Sequence, residues 1–196
     1  MSDNETVEKL KREMEEIKRA IGIEPDFRPL ATVYNPASGI IVASVERYSS
    51  EVFERRLFFR HTSERVYRPI DTPAPDIHYD NLVTSATQPV IYYAVNRFIK
   101  REGIGGFSGD WLSIDRFDLA RQVAESVITQ DGLQLPEPYS RAWVSEVFGV
   151  SPDDSSIFCS RGLERRDTGK SHYGVCSIEL CLQRVALLSQ LEAIWF

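Results

Sequence analysis

The sequence predicts a mainly β fold: three repeated units of four strands, preceded by one α-helix. Three observations carry this reading. First, a pattern of strand, tight turn, apolar strand, charged loop, strand, short turn and strand recurs from near Ala31, Leu82 and Val147, and self-similarity on this scale marks a stacked repeat architecture. Second, the second strand of a unit is a continuous apolar run, as in Ile40 to Val45 and Val90 to Val95. Such runs belong to strands covered on both faces. Third, aromatic residues make up 11% of the chain, with ten Phe and eight Tyr, a composition suited to a pleated, half-buried surface.

The helix is the first element. Val7, Leu10, Met14, Ile17 and Ile21 step by 3, 4, 3 and 4 residues through a segment of Glu, Lys and Arg, which is the a/d seam of a coiled coil. Ser2 and Glu5 have capping-box spacing, and Gly22 and Pro25 supply the stop. A helix of this length is marginal alone and needs a partner for its stripe. The organisation expected is an amphipathic helix over 1–24, a linker over 25–30 and a β domain over 31–196, with units at about 31–70, 82–128 and 147–191.

The β units follow. The first runs from Ala31 through the turn Asn35-Pro36-Ala37-Ser38-Gly39 to Ile40, and returns through Arg56 to Arg60 and Val66 to Ile70. In the second, Val90 to Val95 leads through Gly103-Ile104-Gly105-Gly106 to Trp111-Leu112-Ser113-Ile114-Asp115, with a last turn at Asp118 to Arg121. The third runs from Val147 through the turn Ser151-Pro152-Asp153-Asp154 to Ile157-Phe158-Cys159, and on through Tyr173 to Ile178 and Val185 to Leu188. Pro, Gly, Asn and Asp stand where tight turns need preset or permissive backbone angles.

The stretch Val150-Ser151-Pro152-Asp153-Asp154-Ser155-Ser156-Ile157-Phe158 resembles the S-P-D-G-x-x-I-x-F core of WD40-like and TolB-type β-propeller repeats. Trp111 to Leu119 resembles the following strand and its D-L-x-x-G turn. Asp154 stands where Gly is usual, and the other two units keep less of the pattern. The resemblance implies three propeller-like blades and a binding surface more than any one activity. Closed propellers have typically about 4–8 blades, so three blades imply either a ring completed by a partner or a compact sandwich with no axis. A second copy is favoured, with another propeller-like or helical protein as the alternative. The helix seam, together with Trp195 and Phe196 of the apolar tail, forms the expected oligomer interface.

Bulk properties narrow the function. The net charge of -6 gives no global attraction for phosphate backbones, so nucleic acid is disfavoured. No apolar run approaches the roughly 18 residues of a membrane helix, and no secretory signal opens the sequence, so a cytoplasmic location is expected. Cys159, Cys176 and Cys181 lie in apolar runs and read as buried reduced thiols. His61, His78 and His172 show no metal spacing, and no cofactor is expected. Gly106-Phe107-Ser108-Gly109 lacks the full nucleophile-elbow motif and reads as a loop. The loops after the second strands gather Arg97, Lys100 and Arg101, and Arg161, Arg165, Arg166 and Lys170. The reading is a non-catalytic assembly protein that captures an acidic partner on this basic face. Its alternative is a hydrolase, or a regulatory subunit of one, with a site at the ring centre or a subunit junction. A lectin-like binder using Trp111 and Tyr173 is the minor alternative.

Overall fold

The structure, a computed structural model, describes residues 27–48, 53–70, 76–101, 106–133, 137–180 and 184–191, with the backbone alone at 100–101, 106–108, 145 and 184–191. The heptad residues Val7, Leu10, Met14, Ile17 and Ile21 and the tail residues Trp195 and Phe196 lie outside this set.

Twelve strands form three four-stranded antiparallel sheets among the described residues. The first sheet holds β1 (Arg28–Asn35), β2 (Ile40–Tyr48), β3 (Phe53–His61) and β4 (Arg68–Pro69), in that order. The second holds β5 (Ile77–Thr84), β6 (Val90–Arg101), β7 (Gly106–Asp118) and β8 (Val123–Thr129). The third holds β9 (Tyr139–Val150), β10 (Ser156–Arg165), β11 (Ser171–Glu179) and β12 (Arg184–Leu191). Each sheet is a meander in chain order, as the repeat pattern requires. Two of the strand starts are less apolar than the sequence reading assumed. β9 begins at Tyr139, eight positions before Val147, because Ser140, Arg141 and Glu146 interleave with the buried Ala142, Val144 and Val147. β1 begins inside the expected linker, at Arg28.

The sheets stack face to face with the second in the middle. One core lies between the first and second sheets, where Val42, Leu57 and Phe59 meet Tyr79, Ile91, Tyr93 and Phe117. The other lies between the second and third, where Val90, Tyr92, Ala94 and Ile114 meet Val144, Val147, Ile157 and Ile178. β6 therefore sends alternate residues into two cores, which is why its sequence is apolar without alternation.

The turns carry locks between sheets. Asn35 is fully buried, and its side-chain amide donates across the junction to the Gln88 carbonyl at 2.8 Å and the Thr84 hydroxyl at 2.9 Å. Its carbonyl accepts from the Ser38 N–H at 2.9 Å. At the next junction, Asp154 accepts from the Ser85 hydroxyl at 2.8 Å and also from Thr87. Asp154 adopts φ 56°, the left-handed backbone that explains why Gly is usual at this turn position. Its neighbour Asp153 is turn chemistry, as expected: hydrogen bonds from Ser151 and Ser155 hold its carboxyl down to about 2.

Charge enters the first junction as an ordered chain. Arg28 and Arg55 both bind the buried Glu46, Arg55 at 2.7 Å, and Arg55 also binds Asp80 on the second sheet. Burial pushes the Glu46 carboxyl up, but the two guanidiniums overrule it and its value falls below the ordinary one. Beside this chain His78 is 1% exposed, packed between Phe53 and Phe98 with ring centroids 5.0 and 5.1 Å away. Its Nδ1 accepts the Arg55 backbone N–H at 3.1 Å. Burial drives its pKa from 6.5 down to about 4, so the ring is neutral in the fold. The unfolded chain takes up a proton there that the folded chain refuses, so stability holds above pH 6.5 and declines as the pH falls toward 4. The expected loss over this window is about 3 kcal/mol. Urea unfolding at stepped pH should show it in the wild type and not in His78→Gln; an unchanged slope in the variant would refute the assignment.

Candidate functional site

A cleft of about 290 Å³ opens between the second and third sheets, at the end nearer the β6–β7 and β10–β11 loops. Asp80 and Asn81 of β5, Asn96 and Phe98 of β6, Gly109 and Trp111 of β7, and Arg141, Trp143 and Val144 of β9 line it. Its volume lies at the lower end of small-molecule sites, roughly 300–1,000 Å³.

Two walls of the cleft are aromatic rings seated on glycine. Phe98 is the cross-strand partner of Gly109, and a methyl group at Gly109 would meet the Phe98 ring at 2.9 Å. Trp143 is the cross-strand partner of Gly162 on β10, and a methyl group there would collide with the indole. A glycine inside a strand costs backbone entropy and is found where something must approach the backbone closely. Here it lets each ring lie down on its own sheet. Tyr173 fixes Trp143 edge-on at 5.8 Å, and the Arg141 guanidinium lies 5.8 Å from the Trp143 ring.

The polar groups come from an irregularity in β5. The β5–β6 register shifts between Asp80 and Val83, and Asn81 takes φ 54°. A bulge of this kind re-aims side chains, and left-handed backbone at a residue other than glycine concentrates at functional sites. Asp80 is held by Arg55 from behind, and Arg141 is held by Asp110 across the junction. Those four charges sum to zero. Trp111 is 3% exposed, and its indole N–H has no hydrogen-bond partner among the described residues. A buried donor without a partner costs about 1–3 kcal/mol and calls for an explanation at the site it borders.

A second cleft, about 390 Å³, lies at the opposite end of the same junction, beside Tyr92, Arg116, Glu125 and Asp154. Arg116 is bound to Glu125 at 2.6 Å, and no glycine is among the described residues that line it.

The basic residues picked out by sequence are not gathered on one free face. Arg161 is a correction: it lies inside β10 at 8% exposure, because that strand runs on to Arg165 and the loop is only 166–170. Arg97 is paired with Asp76 at 3.1 Å, Arg165 with Asp167 at 2.7 Å, and Arg166 lies 3.9 Å from Glu137. Lys170 is exposed in the turn before β11, and the side chains of Lys100 and Arg101 lie outside the described residues. Gly106 to Gly109 is also a correction, since it is the start of β7, paired with Phe98 to Arg101, and not a loop. His61 bonds Ser63 at 2.6 Å, while both ring nitrogens of His172 are buried without a partner among the described residues. No group of three or more metal-ligating side chains occurs among the described residues. Trp143, Asp80 and Arg141 were not picked out by sequence. The signals that could have found them are the two strand-interior glycines, Gly109 and Gly162.

No protein-family model matches the sequence, and no curated protein matches it. Solved structures do match in fold. A GH74 xyloglucanase from Xanthomonas campestris matches at TM-score 0.50 and 13% identity, over 82% of this chain and 21% of the other. The Hadza microbial sialidase Hz136 matches at TM-score 0.53 and 10% identity, over 84% of this chain and 37% of the other. An endo-arabinase from Bacteroides thetaiotaomicron gives TM-score 0.46 at 11% identity, over 87% of this chain and 63% of the other. This chain therefore spans about a fifth of the xyloglucanase and just over a third of the sialidase. At these identities the likeness shows the fold alone: mainly β, with propeller-like sheets of four antiparallel strands, and without favouring WD40-like or TolB-type repeats. The expectation of a non-catalytic assembly protein with a basic capture face does not stand. The matched structures include a xyloglucanase and a sialidase, and the basic residues meant for a partner are buried, paired or dispersed.

Proposed function

We propose that this chain supplies the sugar-binding wall of a propeller glycoside hydrolase acting on neutral polysaccharide. The observation that carries it is the pair of aromatic rings laid on strand glycines around a polar-lined cleft, Phe98 on Gly109 and Trp143 on Gly162. A sugar ring offers an apolar C–H face and a rim of hydroxyls. Flat aromatic surfaces suit the first, and Asp80, Asn81, Asn96 and Arg141 suit the second. The balanced charge of the cleft favours a neutral sugar over one bearing a carboxylate, which needs net positive charge. The xyloglucanase and the sialidase thus differ as guides, and the electrostatics sides with the former.

Glycoside hydrolysis needs two carboxylates flanking the scissile bond. In this reading Asp80, on the bulge and within the cleft wall, is one of them. Asp110 of β7, on the same sheet beside the cleft and joined to Arg141 of the third sheet, is the other. Arg55 and Arg141 orient them, and the rings position the sugar between.

Trp143→Ala should weaken binding of xyloglucan oligosaccharides at least about tenfold in calorimetry, and wild type should bind them more tightly than sialyllactose. Gly162→Ala should reproduce the loss, because the added methyl displaces the indole while leaving every polar group in place. Full affinity in both variants would remove the cleft from the function.

Asp80→Asn should lower reducing-sugar release from xyloglucan about 10²-fold or more with binding retained, as expected for a group acting on the reacting bond. Unchanged release would leave Asp80 as a binding residue only.

A further inference from the structure

We propose that Cys159 and Cys176 are a cross-linking site, closing a disulfide between β10 and β11 when the chain folds in contact with a small-molecule disulfide. The two residues are directly opposite in the antiparallel register. Their sulfurs are 3.1 Å apart, and both residues are buried, at 0% and 1% exposure. Opposed residues of an antiparallel pair have Cα atoms about 4.5–5.5 Å apart, inside the range a disulfide spans, so no backbone movement is needed. A metal ion bridging the two sulfurs is a poorer fit. Tetrahedral sites take four ligands, and no third His, Cys, Asp or Glu completes a set among the described residues.

The sulfur–sulfur hydrogen bond, which forms as β10 pairs with β11, favours one sulfur as the attacking group. With the shared proton on Cys159, the sulfur–sulfur hydrogen bond holds Cys176 below the ordinary thiol range against the opposing effect of burial, with Arg161 of β10 adding to the pull. Cys159 moves the other way, raised by the same hydrogen bond and by burial. With oxidised glutathione as oxidant, the Cys176 thiolate attacks one glutathione sulfur and releases one glutathione thiolate, leaving a mixed disulfide. That thiolate takes the Cys159 proton. Cys159 then attacks the Cys176 sulfur and expels the second glutathione. Two protein thiols and one disulfide become one protein disulfide and two glutathione thiols. Burial places this exchange during folding, before the second core closes over the pair.

The bond would tie β10, which carries Gly162 under Trp143, to β11, which carries Tyr173 against its edge. It would thus stiffen one wall of the cleft, although the site stands independently of what the cleft binds.

The test uses the full chain with Cys181→Ser, which removes the third thiol, outside the described residues, as a competing partner. After refolding in a glutathione redox buffer, thiol titration should fall from two free thiols to none. Peptide mass mapping should show residues 159 and 176 joined. The oxidised form should melt roughly 5–10 °C above the reduced form, and Cys159→Ser in the same background should lose that difference. Should refolding fail, the variant is produced in an oxidising and in a reducing expression compartment and the same counts compared. Two free thiols, a stable glutathione adduct, or a cross-link with no gain in melting temperature would overturn the proposal.

Discussion

The arrangement depends on one constraint: the second sheet has no free face. β6 must satisfy two cores at once, sending Ile91, Tyr93 and Val95 toward the first sheet and Val90, Tyr92 and Ala94 toward the third. A strand in that position has no place for polar side chains along its middle. At roughly 25 cal/mol per Å² of apolar area removed from water, two packed faces are the dominant favourable term. Polarity is therefore displaced to the strand ends, where the junctions open. Both clefts lie at the two ends of the junction between the second and third sheets. The position of a site is a by-product of where burial has to stop.

What sets one of those ends apart is the absence of two side chains. Gly109 and Gly162 have no Cβ, and in each case the facing aromatic ring takes the vacated space. Trp143 packs over Gly162, and Phe98 over Gly109 while also touching Phe53 and His78. The opposite end has Tyr92 at 2% exposure and an Arg116–Glu125 pair, with no glycine seat. Its walls are occupied by their own interactions. The contrast between the two ends is a contrast in backbone chemistry more than in residue type.

Much of the fold was legible in the sequence because it rests on local signals. The turns at Asn35 to Gly39 and Ser151 to Asp154 are written in residues with restricted or permissive backbones. The two-faced burial of β6 is written in its unbroken apolar run. The site was far less legible. Arg161 looked like loop charge because a long side chain can be buried within a strand only when tertiary neighbours accept it, and no local pattern records those neighbours. Trp143 lay ahead of the apparent start of its unit, since an edge strand with one solvated face mixes polar and apolar residues. Gly106 to Gly109 looked like loop because two glycines lower β propensity, whereas β7 tolerates them through pairing with β6. Asp80 needed a bulge to matter, and a bulge is a register property of two strands, not of one.

The cleft is lined by the second and third sheets, yet it draws on the first. Asp80 reaches its position through Arg55, and Arg55 divides its guanidinium between Asp80 and Glu46, while its backbone N–H is taken by His78. Glu46 is almost wholly buried and also holds Arg28. Were that carboxylate neutral, Arg55 would be left as a partly buried cation with Asp80 as its remaining anionic partner, and nothing would fix the direction of its fork. Breaking one side of a buried ion network costs more than the pair was worth, because the other charge stays desolvated. The orientation of the carboxylate offered to a ligand at the second junction is thus set by a charge sealed in the first. The proposed site for that reason depends on three sheets, although a ligand in the cleft would touch only two.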